Sequence, residues 1–171
     1  MTERTGIITF MGNGLTLQGS PVSVGDKAPD FTVLGNDLAP KTLADFKGKV
    51  LILSAVPSLD TPVCDVETRR FNQEAANLGN DIAVLTISAD LPFAQARWCG
   101  AAGIDAVTTL SDHKDMAFGA AYGLIVKELR LLTRAVLVVN KEGKIVYQEV
   151  LPEITKEPNY EAAIAAARAA L

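Results

Sequence analysis

The sequence predicts an α/β fold with a central mixed β-sheet that is flanked by helices. Two runs that are apolar on both faces, 50–56 and 82–88, are typical of buried central strands. Helical segments alternate with these runs, which favours a layered α/β arrangement. A late hairpin signal at 140–144 separates two further apolar runs, so the sheet is predicted to be mixed rather than entirely parallel.

The individual elements follow from local patterns. An N-terminal β-hairpin is predicted at about 7–17, with Asn13 and Gly14 in its turn. A helix over 61–78 connects the two buried strands. Beyond them, the sequence predicts a short helix over 92–98 that Gly100 interrupts, a strand at 108–110, a helix over 116–122, hairpin strands at 135–139 and 145–147, and a terminal helix over 160–171. The chain length and the lack of a long linker predict one domain spanning 1–171, with the hairpin as an extension.

Composition narrows the class of protein. The chain has 20 acidic and 16 basic residues, a net charge of −4, which does not favour a nucleic-acid partner. Two cysteines and one histidine leave one ligand too few for a closed structural zinc site. No stretch approaches the roughly 18 apolar residues of a membrane span, and the start lacks the pattern of a signal peptide. We therefore expect no membrane association and a cytoplasmic location, where thiols are kept reduced.

Cys64 is predicted to lie in the first turn of the helix that follows the first buried strand. Thr61 is a favourable N-cap, and Pro62 suits the first helical position. First-turn N–H groups lack intrahelical partners, and the helix dipole stabilises a thiolate there. On a helical wheel Cys64 shares the apolar face with Phe71, whereas Asp65 points away. These features favour a reactive cysteine; the alternative is a buried cysteine that packs as a small apolar side chain.

Pro57, Thr61 and Cys64 match the P-x-x-x-T-x-x-C pattern of peroxiredoxin active sites. The chain resembles the thiol peroxidase branch of that family, an atypical two-cysteine subfamily of the thioredoxin-like superfamily. Further matches are Gly25-Asp-x-Ala-Pro-Asp-Phe31, Arg97-Trp-Cys-Gly100, Tyr122-Gly123, Arg134-Ala-Val-Leu-Val-Val139 and Glu153-Ile-Thr-x-Glu-Pro-x-Tyr160-Glu161. The resemblance implies a thioredoxin-like fold and a thioredoxin-dependent peroxidase that reduces hydrogen peroxide and alkyl hydroperoxides in antioxidant defence.

The same resemblance implies a role for each site residue. Cys64 would be the peroxidatic cysteine, which peroxide oxidises to a sulfenic acid. Cys99 would be the resolving cysteine, which closes an intrachain disulfide with Cys64. Thr61 would orient the thiolate and the peroxide, Arg134 would supply positive charge beside the sulfur, and Pro57 would shield it from water.

The remaining implications concern partners and motion. Thioredoxin would regenerate the enzyme by thiol–disulfide exchange, and the protein would form a homodimer. No metal, flavin or haem is implied. A disulfide needs Cα atoms within about 7 Å, so cysteines on two separate elements predict local unwinding of both helices during the cycle.

Other interpretations remain open from the residues alone. By position, Arg134 is an exposed residue at a strand end and Cys99 is a buried helix cysteine. His113 lies in a polar segment and is expected to be an exposed loop residue rather than the partner of a Cys–His hydrolase. A thiol–disulfide oxidoreductase without peroxidase activity is disfavoured because the chain has no C-x-x-C motif. A non-enzymatic dimerising module, in which the cysteines only pack, is the third hypothesis.

Overall fold

A computed structural model describes all 171 residues of the chain, from Met1 to Leu171. Its strands are β1 (Glu3–Phe10), β2 (Asn13–Gln18), β3 (Val33–Leu34), β4 (Pro40–Lys41), β5 (Val50–Ala55), β6 (Ile82–Ser88), β7 (Thr108–Ser111), β8 (Ile125–Val126), β9 (Leu131–Leu132), β10 (Ala135–Val139) and β11 (Ile145–Val150). Its helices are α1 (Pro62–Ala75), α2 (Pro92–Ala102), α3 (Ala117–Tyr122) and α4 (Tyr160–Ala169), with a 3₁₀ turn at Leu43–Phe46. None of these helices combines the length and the apolar character needed to cross a bilayer.

The central sheet has seven strands in the order β11-β10-β5-β6-β7-β3-β4. Strands β5, β6 and β7 are parallel, whereas β10 runs antiparallel to both β5 and β11. The predicted mixed sheet is therefore confirmed. Every residue of β5 is buried, and alternate residues face different layers. Ile52 packs with Phe71 of α1 and Tyr160 of α4, while Leu53 packs with Phe118 of α3.

A second sheet of four strands, β1-β2-β8-β9, carries the N-terminal hairpin. The hairpin is confirmed, but its predicted turn at Asn13-Gly14 is wrong. The turn residues are Met11 and Gly12, with φ of 50° and 82°, and Asn13 already pairs with Phe10. Hydrophobic burial sets this register, because it places Ile8 and Leu17 in one small core with Val126 and Ile154.

Helix α2 also differs from the prediction, because it continues through Gly100 to Ala102. An isolated glycine inside a helix costs only about 1 kcal/mol relative to alanine, which packing against the sheet outweighs. The helix ends instead at Gly103, whose φ of 68° provides the left-handed cap. The predicted break at Gly100 is therefore wrong, and Cys99 lies within a continuous helix. That the chain forms one domain stays a prediction.

Candidate active site

Cys64 is the third residue of α1, as the sequence predicts, and it is fully buried. Thr61 occupies the N-cap position, but its side chain makes no capping hydrogen bond. Its hydroxyl donates instead to the carbonyl oxygen of Ser58 at 2.7 Å. The N–H of Cys64 consequently has no acceptor within the chain. The site therefore holds an unused backbone donor at the positive end of the helix dipole, next to the sulfur.

Arg134 is buried, with an exposed fraction of 2%, so the interpretation of an exposed strand-end residue is wrong. Its Nη2 lies 3.2 Å from the Sγ of Cys64. The other edges of the guanidinium are also bonded: Nη1 donates to Glu67 at 2.5 Å, and Nε donates to the carbonyl oxygen of Ile154 at 2.8 Å. Three acceptors thus fix the planar group with one edge directed at the sulfur.

Sheet topology explains how Arg134 reaches Cys64. Ala135, the first residue of β10, pairs with Ala55, the last residue of β5. The two strands are antiparallel, so the residue before β10 lies at the carboxyl end of β5. The chain leaves β5 at that same end and runs through Pro57 into α1. Residues that are distant in sequence therefore meet at one edge of the sheet.

Glu67 is a site residue that sequence reasoning missed. Its side chain is fully buried and accepts hydrogen bonds from Ser54 at 2.9 Å and from Arg134. Burial raises the pKa of this carboxyl to about 7, against the opposing pull of Arg134 and Ser54. The signal was available, because Glu67 lies three residues after Cys64 and so falls on the buried face of the helix.

The charge of Arg134 follows from the same contacts. Burial alone disfavours the charged form, but the neighbouring Glu67 and Cys64 outweigh it and raise the pKa of the guanidinium. Arg134 is therefore cationic at neutral pH. The sulfur of Cys64 faces a permanent positive charge from which bulk water is excluded.

A cavity of about 320 Å³ opens beside this cluster. Its walls are mostly apolar and are formed by Phe10, Met11, Pro57, Thr61, Pro62, Val63, Arg134, Ile154 and Thr155. Pro57 is itself buried, as a residue that shields the sulfur must be. A larger cavity, of about 630 Å³, lies near Lys27 and Val139 at the opposite end of β10 and contains none of the predicted site residues. The smaller cavity is therefore the one lined by the predicted site residues Pro57, Thr61 and Arg134.

Cys99 lies in a different environment, and both cysteines are free. Its Sγ is 3.4 Å from the Oγ1 of Thr109, and that hydroxyl donates its proton to Asn36 at 3.0 Å. The thiol of Cys99 is therefore the donor to Thr109. Cys99 borders a separate cavity of about 300 Å³ that does not include Cys64. The structure does not bring the two sulfurs together.

A cluster of three side chains, Asp65, Arg69 and Trp98, joins the two helices that carry the cysteines; we call it the α1–α2 bridge. The indole N–H of Trp98 donates to Asp65 at 3.0 Å, and Arg69 pairs with Asp65 at 2.9 Å. The guanidinium of Arg69 lies 5.7 Å from the centre of the Trp98 ring. Asp65 thus points away from the sulfur, as the helical wheel predicts, and binds the residue next to Cys99.

His113 lies in a turn after β7 and is half-buried rather than exposed. Its ring forms no hydrogen bond or ion pair with another side chain, and the polar partner of Cys64 is Arg134 instead. The geometry gives no support to a Cys–His hydrolase.

Comparison with known proteins decides the family. A model of the Redoxin family matches residues 23–164 of the chain. The chain belongs to the redoxin family. A thiol peroxidase of Bacillus subtilis strain 168 is 64% identical over 162 residues, which cover 95% of this chain and 96% of that protein. A thiol peroxidase of Halalkalibacterium halodurans is 60% identical over 164 residues, covering 96% and 98% respectively.

Solved structures agree with this redoxin assignment. A peroxiredoxin-like protein from Aquifex aeolicus superposes with a TM-score of 0.91 at 38% identity and covers 98% of this chain and 99% of that one. A thiol peroxidase from Chromobacterium violaceum, with a TM-score of 0.82 at 18% identity over 91% of both chains, shows the shared fold alone. The predictions of a thioredoxin-like fold and of a thiol-dependent peroxidase are confirmed. The hypothesis of a non-enzymatic module is set aside.

Proposed function

We propose that Cys64 is the peroxidatic cysteine and that Arg134, Thr61 and Pro57 form its site. One observation carries this assignment: the Nη2 of Arg134 lies 3.2 Å from a fully buried Sγ. Arg134 already pairs with Glu67 and still directs a second edge of its guanidinium at the sulfur, and a cation in that position stabilises a thiolate. The arrangement supports a sulfur that reacts as the anion.

The oxidation step follows from the donors and acceptors present. The thiolate of Cys64 attacks one peroxide oxygen; an S–O bond forms, the O–O bond breaks, and the electron pair leaves on the other oxygen. That oxygen takes a proton and departs as water or an alcohol, and the sulfur becomes a sulfenic acid. The N–H of Cys64 and the guanidinium of Arg134 face the developing negative charge. The hydroxyl of Thr61 donates its hydrogen to the carbonyl oxygen of Ser58, so the hydroxyl oxygen can accept a hydrogen bond from the peroxide hydroxyl.

The cavity beside Cys64 supports organic hydroperoxides as substrates as well as hydrogen peroxide. Its volume of about 320 Å³ exceeds what hydrogen peroxide occupies, and its lining is mostly apolar. Apolar walls favour an alkyl or aryl substituent through burial of its surface.

For the second half of the cycle we propose Cys99 as the resolving cysteine. Its sulfur attacks the sulfenic acid, an S–S bond forms, and hydroxide leaves and is protonated to water. Each cysteine lies in a continuous helix and contacts different side chains, so both helices must unwind locally before the sulfurs meet. A dithiol protein of the thioredoxin type then reduces the Cys64–Cys99 disulfide by exchange.

The cycle also bears on location and assembly. It requires a compartment in which a dithiol reductant is maintained, and we therefore propose a cytoplasmic enzyme. The exposed apolar side chains Phe93 and Leu91 at the start of α2 support a homodimer, because such residues are often covered in an interface.

A coupled assay tests the proposal. The wild-type protein is supplied with thioredoxin, thioredoxin reductase and NADPH, and NADPH oxidation is followed after addition of hydrogen peroxide or cumene hydroperoxide. We expect peroxide-dependent turnover and, by mass spectrometry without reductant, a Cys64–Cys99 link. Turnover that survives in the Cys64→Ser variant would reject Cys64 as the nucleophile.

A further inference from the structure

The loop between β5 and α1 is fastened by the carboxylate of Asp90, a half-buried residue in the bend after β6. Oδ1 of Asp90 accepts a hydrogen bond from the hydroxyl of Ser58 at 2.6 Å. Its Oδ2 accepts from the N–H of Leu59 at 2.8 Å. Both donors lie between Pro57 and Thr61, so a side chain from the end of another strand holds the segment that leads into the active site.

Asp90 is itself held in place by the ends of two central strands. The hydroxyl of Ser88, the last residue of β6, donates to Oδ2 of Asp90 at 2.7 Å. The same hydroxyl accepts from the side-chain amide of Gln95 at 3.0 Å, and this buried amide also donates to the carbonyl oxygen of Leu110 in β7 at 2.8 Å. The hydroxyl of Ser111 donates to the carbonyl oxygen of Asp90. These contacts tie the carboxylate to the sheet, which makes it a fixed anchor for the loop.

The peptide group between Ser58 and Leu59 connects Asp90 with Thr61. The N–H of this group donates to Asp90, and its carbonyl oxygen accepts from the hydroxyl of Thr61 at 2.7 Å. A peptide group is nearly planar, and in the trans form, which every peptide group of this chain has, the N–H and the C=O point in opposite directions. Fixing the N–H therefore also fixes the direction of the carbonyl oxygen to which Thr61 donates.

The direction of the Thr61 hydroxyl bears on the proposed oxidation step. While its hydrogen lies on the carbonyl oxygen of Ser58, the hydroxyl presents a lone pair to the hydroxyl of the peroxide. If the peptide group turned, the Thr61 hydroxyl would rotate and present its own hydrogen in part of the molecules. A carboxylate that accepts from the N–H also polarises the peptide group and strengthens its carbonyl oxygen as an acceptor.

We propose that Asp90 is a positioning residue that sets the hydrogen-bonding direction of Thr61 through the peptide group between Ser58 and Leu59. This inference rests on the function proposed above, and it gives a part in the oxidation step to a residue outside the cavity beside Cys64. Asp90 would contact neither the peroxide nor the sulfur. Its effect would be the same for hydrogen peroxide and for organic hydroperoxides, and it would vanish in a protein whose residue 61 has no hydroxyl.

A double-mutant cycle that combines substitutions of Asp90 with Thr61→Val tests this coupling. Asp90→Ala removes both acceptors and should lower the rate constant for oxidation of Cys64 by about tenfold, equally for hydrogen peroxide and cumene hydroperoxide. Asp90→Asn keeps the shape and one acceptor but loses the charge, so it should lower the rate constant by about threefold. The asparagine variant keeps the test decisive if the alanine variant does not fold.

Thr61→Val should lower the same rate constant by about a hundredfold, and adding either Asp90 substitution to it should lower the rate constant by less than about twofold further. The matched controls are Asp81→Ala and Asp81→Asn, because Asp81 is an exposed residue at the other end of β6. Both controls should leave the rate constants unchanged.

A second measurement separates this role from a general loosening of the site. Methyl methanethiosulfonate modifies thiolates and carries no hydrogen-bond donor for Thr61 to accept. Its rate of reaction with Cys64, and the pH profile of that rate, should stay within about twofold of wild type in Asp90→Asn. A changed pH profile would mean that Asp90 acts on the sulfur and would overturn the inference.

The inference is also overturned if the Asp90 variants oxidise as fast as wild type, or if the effects of Asp90 and Thr61 substitutions multiply. A Thr61→Val variant as fast as wild type would remove Thr61 from the mechanism and the inference with it. A wild-type protein that reduces neither peroxide would instead overturn the proposed function itself.

Discussion

The two cysteines of this protein occupy opposite kinds of environment. Cys64 is fully buried, contacts a guanidinium that three acceptors hold in place, and has an unused backbone donor beside it. Cys99 is half-buried near the end of α2 and has one weak contact, to the hydroxyl of Thr109. The first environment fixes the groups around the sulfur, whereas the second places few constraints on the thiol.

In the proposed cycle, this difference makes the two halves of the reaction depend on different physical properties. If Cys64 is the nucleophile, the rate of peroxide reduction should depend on how well the fixed groups around its sulfur stabilise charge. The rate of disulfide formation depends on how readily two helices open, since the sulfurs start in separate surroundings. Substitutions that act on one half should leave the other largely unaffected.

The largest effects on peroxidase activity should come from replacing the cysteines, and Cys64→Ser and Cys99→Ser should fail at different steps. Cys64→Ser should lose peroxidase activity by at least about a thousandfold, because the nucleophile is gone. Cys99→Ser should consume about one equivalent of peroxide per chain at close to the wild-type rate and then stop, with Cys64 found as sulfenic or more oxidised forms. Rapid-quench peroxide consumption and intact-mass measurement distinguish the two. Sustained thioredoxin-dependent turnover by Cys99→Ser would remove Cys99 from the mechanism.

Arg134→Lys should have the next largest effect. A lysine keeps the positive charge but cannot satisfy Cys64, Glu67 and Ile154 together. We expect the rate constant for oxidation of Cys64 to fall by about a hundredfold and its alkylation by iodoacetamide at pH 7 to slow as well. Arg168→Lys, at the exposed end of α4, is the matched control. Unchanged alkylation in Arg134→Lys would show that the guanidinium does not activate the sulfur.

The α1–α2 bridge should affect only the second half of the cycle. Trp98→Phe keeps the aromatic ring but removes the donor to Asp65, which should lower the free energy of unfolding by about 1 kcal/mol. It should speed disulfide formation about threefold without altering the reaction with peroxide.

Two comparisons check that effect of the bridge. Asp65→Asn keeps an acceptor for Trp98 and loses only the ion pair with Arg69, so its effect should be smaller. In the wild type Trp98 is the only tryptophan, and its fluorescence should change when Cys99 joins Cys64. Equal rates of disulfide formation in all three proteins would mean that the bridge does not limit unwinding.

The smallest effect is a pH dependence of stability that Glu67 causes. Burial raises the pKa of Glu67 to about 7 in the folded protein, above its ordinary value of 4.5, so on raising the pH the unfolded chain releases this proton first. The free energy of unfolding should therefore fall as pH rises from about 4.5 to about 7 and then level off. Glu67→Gln should lack this part of the decrease.

Urea unfolding of both proteins across that pH range measures the difference. Burial also raises the pKa of Asp112, to about 6, so Asp112 lowers the free energy of unfolding with rising pH in the same way. Asp112 is present in both proteins, so its contribution cancels in the difference between them. Parallel profiles for wild type and Glu67→Gln would contradict the raised pKa of Glu67.

The long central strands were predictable from sequence because their hydrophobic patterns are compatible with only one position in the fold. The runs at 50–56 and 82–88 are apolar on both faces and can be satisfied only inside a sheet that helices cover on both sides. The two-residue strands β8 and β9 were not predictable, since their pairing depends on the hairpin docking from far away in the chain. The hairpin turn was misplaced because local turn preference favoured Asn13-Gly14, whereas burial of Ile8 and Leu17 decided the register.

The site was predictable in part, for a related reason. The position of Cys64 at the start of α1 follows from a local pattern of Thr61 and Pro62. Arg134 was identified through the family resemblance, because its own position indicates only an exposed strand end. Glu67 was missed because a buried acidic side chain is unfavourable unless a cation pairs with it. The cation is Arg134, which is distant in sequence and approaches Glu67 only in the folded chain.

The pairing of Ala135 with Ala55 has a consequence for how this enzyme tolerates change. A slip of one residue between β5 and β10 would carry the guanidinium about 3.4 Å along the strand and turn its side chain to the opposite layer. Lengthening the loop at 140–144 leaves that alignment untouched. Deleting a single residue between 134 and 139 destroys it while conserving every active-site side chain. The effect of an insertion or deletion on activity should therefore depend on whether it shifts the pairing of β5 with β10. Its distance from the sulfur of Cys64 should matter less.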